Sequence, residues 1–480
     1  HQEKRPGFAR RPRGLFSLTR LLCAAGLFFA PLVAATVPPS AQRVISHVMD
    51  VRLDPDAGRI EVTDQLSWSD NPTDVLEFFV HPKLKVKAID GRLEPMFTHP
   101  GHYRLTGASG HAQATIHLSG ELREGLRAST ASGYDRGVQS SRGRIADDGV
   151  YLGPESLWYP DSDGALHRYD LRVRPIPGWT AMSSGDELDP GRFQEGQPLE
   201  GIWLLAGRFS VYAEGRAAVY LRKPDPDLAS RYLQATLAYL EQYEALLGPY
   251  PYARFSLVEN TWESGFGMPA FTLLGPRVIR LPFILGSSYP HEILHNWWGN
   301  GVYVDMRDGN WSEGLTTYLA DHHIQQQDGR ATRYRRRTLQ RYAALASEAE
   351  DFPLSAFRFR HNNAAQAVGY GKAMMLFHML RQRIGDTAFV QGLRRFYKDE
   401  RFRFAAYDDL RRHFEQASGQ DLARFFEQWV ERTGAPRLGA RTAPPDKAPD
   451  GGWTIKLTLT QSATQSTTQS TTQSTTQSTT

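Results

Sequence analysis

The feature that most constrains this chain is the ten-residue stretch from His291 to Asn300, which reads H-E-I-L-H-N-W-W-G-N. Histidines at positions i and i+4 project from the same face of an α-helix, so the rings of His291 and His295 can reach one metal ion. The pattern therefore predicts a helix, and it requires a second element that brings another ligand to the same point. Glu292 lies between the histidines, beside the metal, where it can take a proton from a bound water.

A candidate for the third ligand is Glu313, which follows His295 by 18 positions and lies inside an apolar helical pattern. Three protein ligands and one open position are typical of catalytic zinc, whereas structural zinc is usually closed by four ligands, often cysteines. The five-residue histidine motif alone also arises by chance on surface helices, and Glu313 is what favours a metal site. We predict one zinc ion per chain, held by His291, His295 and Glu313.

The stretch resembles the H-E-x-x-H-x-W-x-G-N string of the aminopeptidase N family of zinc metallopeptidases (gluzincins). The residues that carry the resemblance are His291, Glu292, His295, Trp297, Gly299 and Asn300. Glu313-Gly314 resembles that family's N-E-G, with Ser312 in place of the Asn, and the connection from the second histidine is one residue shorter than usual. The resemblance implies a thermolysin-like catalytic domain that hydrolyses peptide bonds.

A second family signature is similar to the segment around Tyr370, which reads V-G-Y-G-K-A. It resembles the family's Tyr-x-Lys-Gly, with Ala373 in place of the last Gly. The resemblance implies that the hydroxyl of Tyr370 stabilises the oxyanion of the tetrahedral intermediate. Asn300, Thr316 and Asp321 are candidates for contacts that orient the metal ligands.

The third signature departs from the family. The stretch that contains Gly267 and Met268, the candidate substrate-binding residues, occupies the place of the family's Gly-x-Met-Glu-Asn strand. Pro269 stands where that family has the glutamate that holds the substrate's free ammonium. Glu259 and Glu263 are close in sequence and are the candidates to replace it. Without a replacement, the enzyme is expected to discriminate weakly between free and blocked N-termini.

The hydrophobic pattern changes period along the chain and predicts a multi-domain α+β protein. Up to about residue 213 short segments alternate apolar and polar residues between Gly and Pro, as at Ile60–Thr63 and Ala114–Leu118, which predicts an antiparallel β domain. Residues 228–247 then form an amphipathic helical pattern, and helical patterns dominate to Thr433. The predicted domains are an N-terminal β domain (41–215) and a mostly helical zinc peptidase domain (216–440). Residues 441–480 are predicted to be a linker, the start of a truncated β domain and a Gln/Ser/Thr tail too polar to order itself.

The first forty residues have the layout of a secretory signal: basic residues precede an apolar run from Leu21 to Ala35. An uncleaved membrane anchor is the alternative. This leader carries a net charge of +5, so subtracting it from the whole-chain value of +4 leaves −1 for the rest. The basic composition therefore gives no reason to expect a nucleic-acid partner. The only cysteine, Cys23, lies in the leader, so the remaining chain has no thiol ligand or disulfide to offer.

Taken together, the sequence predicts an exported zinc metallopeptidase, periplasmic or extracellular, that acts on peptides or proteins with aminopeptidase-like chemistry. One alternative is a hydrolase or endopeptidase of the same fold with little need for a free N-terminus, which the loss of the glutamate at residue 269 favours. The other is a non-catalytic relative that binds peptides in the same cleft. The presence of Glu292 and Tyr370 speaks against that second alternative.

Overall fold

The computed structural model describes residues 43–68, 75–108, 111–128, 139–346, 350–447, 452–462 and 473–479. The predicted leader lies outside these residues. In the described part, a β-rich N-terminal domain precedes a mostly helical domain, which confirms the predicted α+β fold class. None of the described helices combines the length and the apolar character needed to cross a membrane.

Short strands make up the first half of the chain. They are β1 (Val44–Asp54), β2 (Arg59–Ser67), β3 (Val75–Phe79), β4 (Lys85–Ala88), β5 (Arg92–Pro95), β6 (His102–Thr106), β7 (Gln113–Glu121), β8 (Arg127–Ala128), β9 (Gln139–Ser140), β10 (Arg144–Ala146), β11 (Gly149–Leu152), β12 (Leu166–Val173), β13 (Thr180–Ser183), β14 (Asp186–Asp189), β15 (Arg192–Leu199), β16 (Leu204–Gly207), β17 (Ser210–Glu214) and β18 (Ala217–Leu221). Along β1 and β2 buried and exposed residues alternate, as expected for strands with one face on a core.

The largest sheet has the strand order β14-β15-β12-β1-β2-β7-β4. Its pairs are antiparallel except that β1 and β12 run parallel, from the pair Val44–Leu166 to the pair Val51–Val173. The predicted antiparallel β domain thus contains one parallel pair. A parallel pair needs a long connection, and here the chain between the two strands forms β2, β4 and β7 of the same sheet, and strands of smaller sheets, before it returns.

Helices dominate the second half, interrupted by a few strands. The helices are α1 (Pro226–Leu247), α2 (Ser288–Leu294), α3 (Ser312–Thr316), α4 (His323–Gln327), α5 (Ala331–Leu345), α6 (Asn363–Gln366), α7 (Ala373–Ile384), α8 (Asp386–Glu400), α9 (Tyr407–Ser418) and α10 (Ala423–Val430), and the strands are β19 (Phe255–Glu259), β20 (Gly265–Met268), β21 (Phe271–Leu274), β22 (Tyr303–Val304) and β23 (Phe404–Ala405). Two π-helical turns, Thr317–His322 and Ala367–Lys372, lead from α3 to α4 and from α6 to α7.

A five-stranded sheet with the order β17-β18-β19-β21-β20 supports the metal-binding region. Strand β17 pairs with β18, so this sheet begins one strand before the domain boundary predicted at residue 215. Strand β20 lies at the edge of the sheet and pairs only with β21 among the described strands. Its outer edge is therefore available to an extended ligand.

The C-terminal region contains strands β24 (Arg437–Thr442), β25 (Asp446–Lys447), β26 (Trp453–Ser462) and β27 (Gln473–Thr479). Strand β27 pairs antiparallel with β26. Residues of the predicted Gln/Ser/Thr tail thus pair with β26 through the main chain, and such hydrogen bonds do not depend on apolar side chains.

Buried aromatic side chains hold the metal-binding helix in place. Trp297 and Trp298, directly after α2, and Trp311, directly before α3, are each 0% exposed. Their indoles are anchored to the main chain: Nε1 of Trp297 donates to the carbonyl of Gly248, and Nε1 of Trp311 donates to that of Ala405. Large buried side chains of this kind leave little freedom in how the two helices approach each other.

Candidate metal centre

Helix α2 ends at Leu294, one residue before the second histidine of the motif. His295 nevertheless keeps a right-handed helical backbone, and its amide donates to the carbonyl of His291 at 3.2 Å. The i, i+4 relation is therefore preserved, and the two ring centroids lie 4.8 Å apart. The chain then turns at Gly299, whose φ of +109° disfavours any residue with a Cβ.

Glu313 reaches the same point from the first turn of α3. Its Oε2 lies 3.5 Å from Nε2 of His291 and 3.4 Å from Nε2 of His295. One ligand atom from each of the three residues lies within 4.8 Å of the other two. The structure thus brings together the three residues that the sequence proposes as ligands.

The three candidate ligands form a site whose charges and hydrogen bonds are suited to a bound cation. Oε2 of Glu313 is buried, and no described group forms a hydrogen bond with it. Burial alone would raise the pKa of Glu313, but the rings of His295 and His291 hold it well below the usual range. A buried carboxylate oxygen facing two imidazole nitrogens fits a zinc ion, for which these are common ligands. His291, His295 and Glu313 would hold that ion.

The far side of each histidine ring is fixed by a hydrogen bond to an acceptor. Nδ1 of His291 lies 3.2 Å from Oδ2 of Asp321, which stands on the π-helical turn Thr317–His322. Nδ1 of His295 donates to the carbonyl of Trp298 at 2.9 Å. Because Nδ1 carries the proton in both rings, Nε2 presents its lone pair to the centre.

Ser312, which stands where the family has Asn, also contacts the far side of a histidine ring. Its hydroxyl donates to the carbonyl of Trp298 at 2.7 Å and lies 3.3 Å from Nδ1 of His295. Of the other residues suggested for this role, Thr316 is buried and its hydroxyl has no hydrogen-bond partner among the described residues. Asn300 lines the cavity. The contact through the carbonyl of Trp298 has no sequence signature, since every residue carries a carbonyl.

A cavity of about 330 Å³ opens beside the three ligands. Glu292 and Tyr370 line it, together with residues 265–267 of the edge strand β20. Burial raises the pKa of Glu292, which brings a carboxylate closer to the range where it can both accept and return a proton. Tyr370 stands on the π-helical turn Ala367–Lys372, and its ring lies nearly parallel to that of His291, with centroids 6.4 Å apart. Burial raises the pKa of Tyr370 well above 10, so its hydroxyl stays a hydrogen-bond donor.

Gly267 is closely fitted to Glu292. A Cβ on Gly267 would lie 2.5 Å from Oε2 of Glu292, which is well inside the closest normal contact. The absence of a side chain on this residue of β20 therefore leaves the space that the carboxylate occupies. Met268, the next residue, is buried in a small hydrophobic cluster instead of facing the cavity.

The structure does not bring the two proposed replacements for the missing glutamate to the cavity. Glu259 is 3% exposed; its Oε1 pairs with Arg280 at 2.5 Å, and its Oε2 accepts the amide of Arg222. Oε1 of Glu263 pairs with Nε of Arg277 at 2.8 Å. Neither residue lines the cavity. Proximity in sequence is misleading here because both side chains are neutralised by arginines on the following loop.

The cavity does contain a carboxylate that the sequence analysis did not identify. Glu200 lines it from the loop after β15, more than 90 residues before the first histidine. A lone glutamate in a loop of the N-terminal half carries no pattern that would connect it with a site formed by α2 and α3.

Comparisons with known proteins agree with this geometry. Residues 288–429 match the family described as Peptidase family M1 domain. Aminopeptidase N of Lactococcus lactis is 26% identical over 159 residues, which are 31% of this chain and 19% of that protein. Among solved structures, yeast LTA4 hydrolase is similar with a TM-score of 0.63 and 18% identity, covering 85% of this chain and 71% of that one. An M1 zinc metallopeptidase from Deinococcus radiodurans is similar with a TM-score of 0.59 and 16% identity, covering 82% of this chain and 94% of that one.

The fold is therefore similar to that of M1 zinc metallopeptidases. Residues 288–429, which contain the three candidate ligands, match the M1 peptidase domain, and the chain is similar to aminopeptidase N, as the resemblance of its motifs predicts. The chain spans about a fifth of the length of the Lactococcus relative.

The ligand assignment makes a prediction about metal content. Wild-type protein should contain about one equivalent of zinc per chain by elemental analysis, and His295→Ala should lose it because two ligands cannot hold the ion tightly. Asp321→Asn should keep the site but weaken zinc binding by about 10- to 100-fold, the usual effect of removing a partner that orients a ligand. Full zinc occupancy in His295→Ala would contradict the assignment.

A second prediction concerns Gly267. Gly267→Ala should retain zinc and fold normally, because the one close contact of the added methyl group is with the far end of the Glu292 side chain. It should lower kcat for a peptide substrate by displacing that carboxylate. Gly265→Ala, on the same strand with open space at its Cβ position, is the matched control. Equal kcat values for the two variants would show that the position of Glu292 does not depend on Gly267.

Proposed function

We propose that this protein is a zinc-dependent metallopeptidase that hydrolyses peptide bonds, with aminopeptidase-like action on peptides. The observation that carries this proposal is the convergence of His291, His295 and Glu313 beside a cavity that also holds Glu292. Zinc in such a site supplies Lewis acidity that activates water and polarises a carbonyl.

The protein's own residues supply the proton transfers. Glu292 accepts a proton from the attacking water on its carboxylate and delivers it to the leaving amine, a role that its raised pKa supports. The hydroxyl of Tyr370 donates a hydrogen bond to the oxyanion that forms on the carbonyl. Ser312 and Asp321 keep the histidine rings in the orientation that the ligands need.

The edge strand supports a peptide as the substrate. Gly265, Phe266 and Gly267 of β20 line the cavity, and the outer edge of this strand is unpaired among the described strands. An extended peptide can therefore add its main chain to the sheet and place a carbonyl near the centre. The relative from Lactococcus is named an aminopeptidase, which agrees with this substrate class.

A second candidate is an endopeptidase of the same fold that has little need for a free N-terminus. The observation that favours it is Pro269, which offers neither a charge nor an amide hydrogen to a substrate ammonium. Glu259 and Glu263 do not compensate, because both are paired with arginines away from the cavity. The two candidates share the hydrolytic step and differ only in which peptides bind.

The hydrolytic role of Glu292 can be tested separately from metal binding. Glu292→Gln should keep its zinc and lose about 10²- to 10⁴-fold in kcat, the usual contribution of general acid–base catalysis. Turnover of a fluorogenic peptide and elemental analysis on the same preparation measure both quantities. Near-wild-type activity in this variant would contradict the role, and loss of zinc would show that Glu292 helps to hold the metal.

We also propose that the protein is exported, to the periplasm or the extracellular space, on the pattern of its first forty residues. Mass spectrometry of protein recovered outside the cytoplasm should show a new N-terminus between about residues 35 and 41, next to the small residues that end the apolar run. An intact leader on membrane-bound protein would support an anchor in its place.

A further inference from the structure

Three carboxylates line the described cavity, and two of them have a role in hydrolysis. Glu313 belongs to the ligand set, and Glu292 is the proton-transfer group. Glu200 is the third. The hydrolytic step does not use it, so its presence in the cavity needs another explanation.

The loop that carries Glu200 is held firmly on both sides. Leu199 and Ile202 are each 0% exposed. The amide of Ile202 donates to the hydroxyl of Tyr159, and its carbonyl accepts from Nε1 of Trp158. The hydroxyl of Tyr303, which follows the metal-binding helix, donates to the carbonyl of Pro198 at 2.6 Å. These contacts fix the main chain on each side of Glu200 relative to the centre, as a binding group requires.

The carboxylate of Glu200 is available to a ligand. The side chain is exposed, and it forms no hydrogen bond or ion pair with any residue that the structure describes. The described lining contains no lysine or arginine that could neutralise it. The protein atoms around the cleft raise the pKa of Glu200, and a neighbouring cation would lower it again.

We propose that Glu200 binds a cationic group of the substrate, an ammonium or guanidinium, and thereby determines which peptides the enzyme selects. This inference rests on the proposed peptidase function. The substrate's cation comes either from its free N-terminus or from a lysine or arginine side chain, and both sources present the same chemistry to a carboxylate.

The test compares kcat/KM for matched peptides with wild type, Glu200→Gln and a control. One pair of peptides has a free or an acetylated N-terminus. A second pair has either lysine or the uncharged, unbranched norleucine at the residues flanking the cleaved bond. Glu214→Gln is the control, because it removes one exposed carboxylate with the same change in charge from strand β17, at the opposite edge of the sheet from the cavity-lining strand β20.

The expected result is a loss of selectivity in Glu200→Gln alone. For one pair, kcat/KM of the cationic peptide should fall about 10- to 100-fold, mainly through KM, as a charged hydrogen bond is lost. The neutral partner of that pair should change little. Glu200→Lys should reverse the preference, which a purely structural role of Glu200 does not predict. The pair that responds identifies the source of the cation.

Two outcomes would overturn these ideas, and they can be distinguished. Unchanged selectivity in both pairs for Glu200→Gln would overturn the role of Glu200 and leave the peptidase function intact. Absence of turnover by zinc-loaded wild type on every peptide would overturn the peptidase function. In that case calorimetric binding of the same peptides decides the inference: equal affinity of wild type and Glu200→Gln for the cationic peptides would refute it.

Discussion

The rest of the candidate site depends on one electrostatic constraint, the buried Oε2 of Glu313, which lies between two imidazole nitrogens. A buried charge is costly unless a counter-charge and hydrogen bonds compensate it, and its Oε2 has no hydrogen bond from the described residues. A divalent cation at the point where His291 and His295 converge meets that need. The remaining contacts of the centre hold the two imidazole rings and the carboxylate so that a lone pair of each ligand atom points at this position.

Those contacts explain how a short helix can position its ligand side chains accurately. Helix α2 has only seven residues, and its second histidine already lies at the cap. Precision comes from the neighbouring tryptophans: the carbonyl of Trp298 accepts from both His295 and Ser312, so one main-chain group connects the two ligand-bearing segments. The indole of Trp298 is buried, which fixes that carbonyl. A packing residue therefore also determines the geometry of the metal centre.

How much of this site the sequence predicts depends on how far apart in the sequence the interacting residues lie. The i, i+4 histidines and the order of a β domain before a helical one are local patterns, and the sequence predicts both. The role of the carbonyl of Trp298 depends on the main chain alone, and the parallel pairing of β1 with β12 joins segments more than 100 residues apart. Glu200 is likewise far in sequence from the ligands, whereas Glu259 and Glu263 are candidates only through nearness in sequence and are paired with arginines.

The segment at Pro269 shows why recognition of the substrate has to come from another part of the cleft. The carbonyl of Pro269 accepts from the hydroxyl of Ser184 in the N-terminal domain at 2.7 Å. The amide of Ala270, whose φ is +69°, donates to the side chain of Asn296 just after the metal-binding helix. This segment therefore connects the N-terminal domain, the edge strand and the metal centre. A proline suits this position because it restricts the main-chain conformation. The side chain of proline carries no charge, so this position offers no carboxylate to the substrate. Glu200 lines the cavity and has no hydrogen bond or ion pair with the described residues, so its carboxylate can take that role under the proposal above.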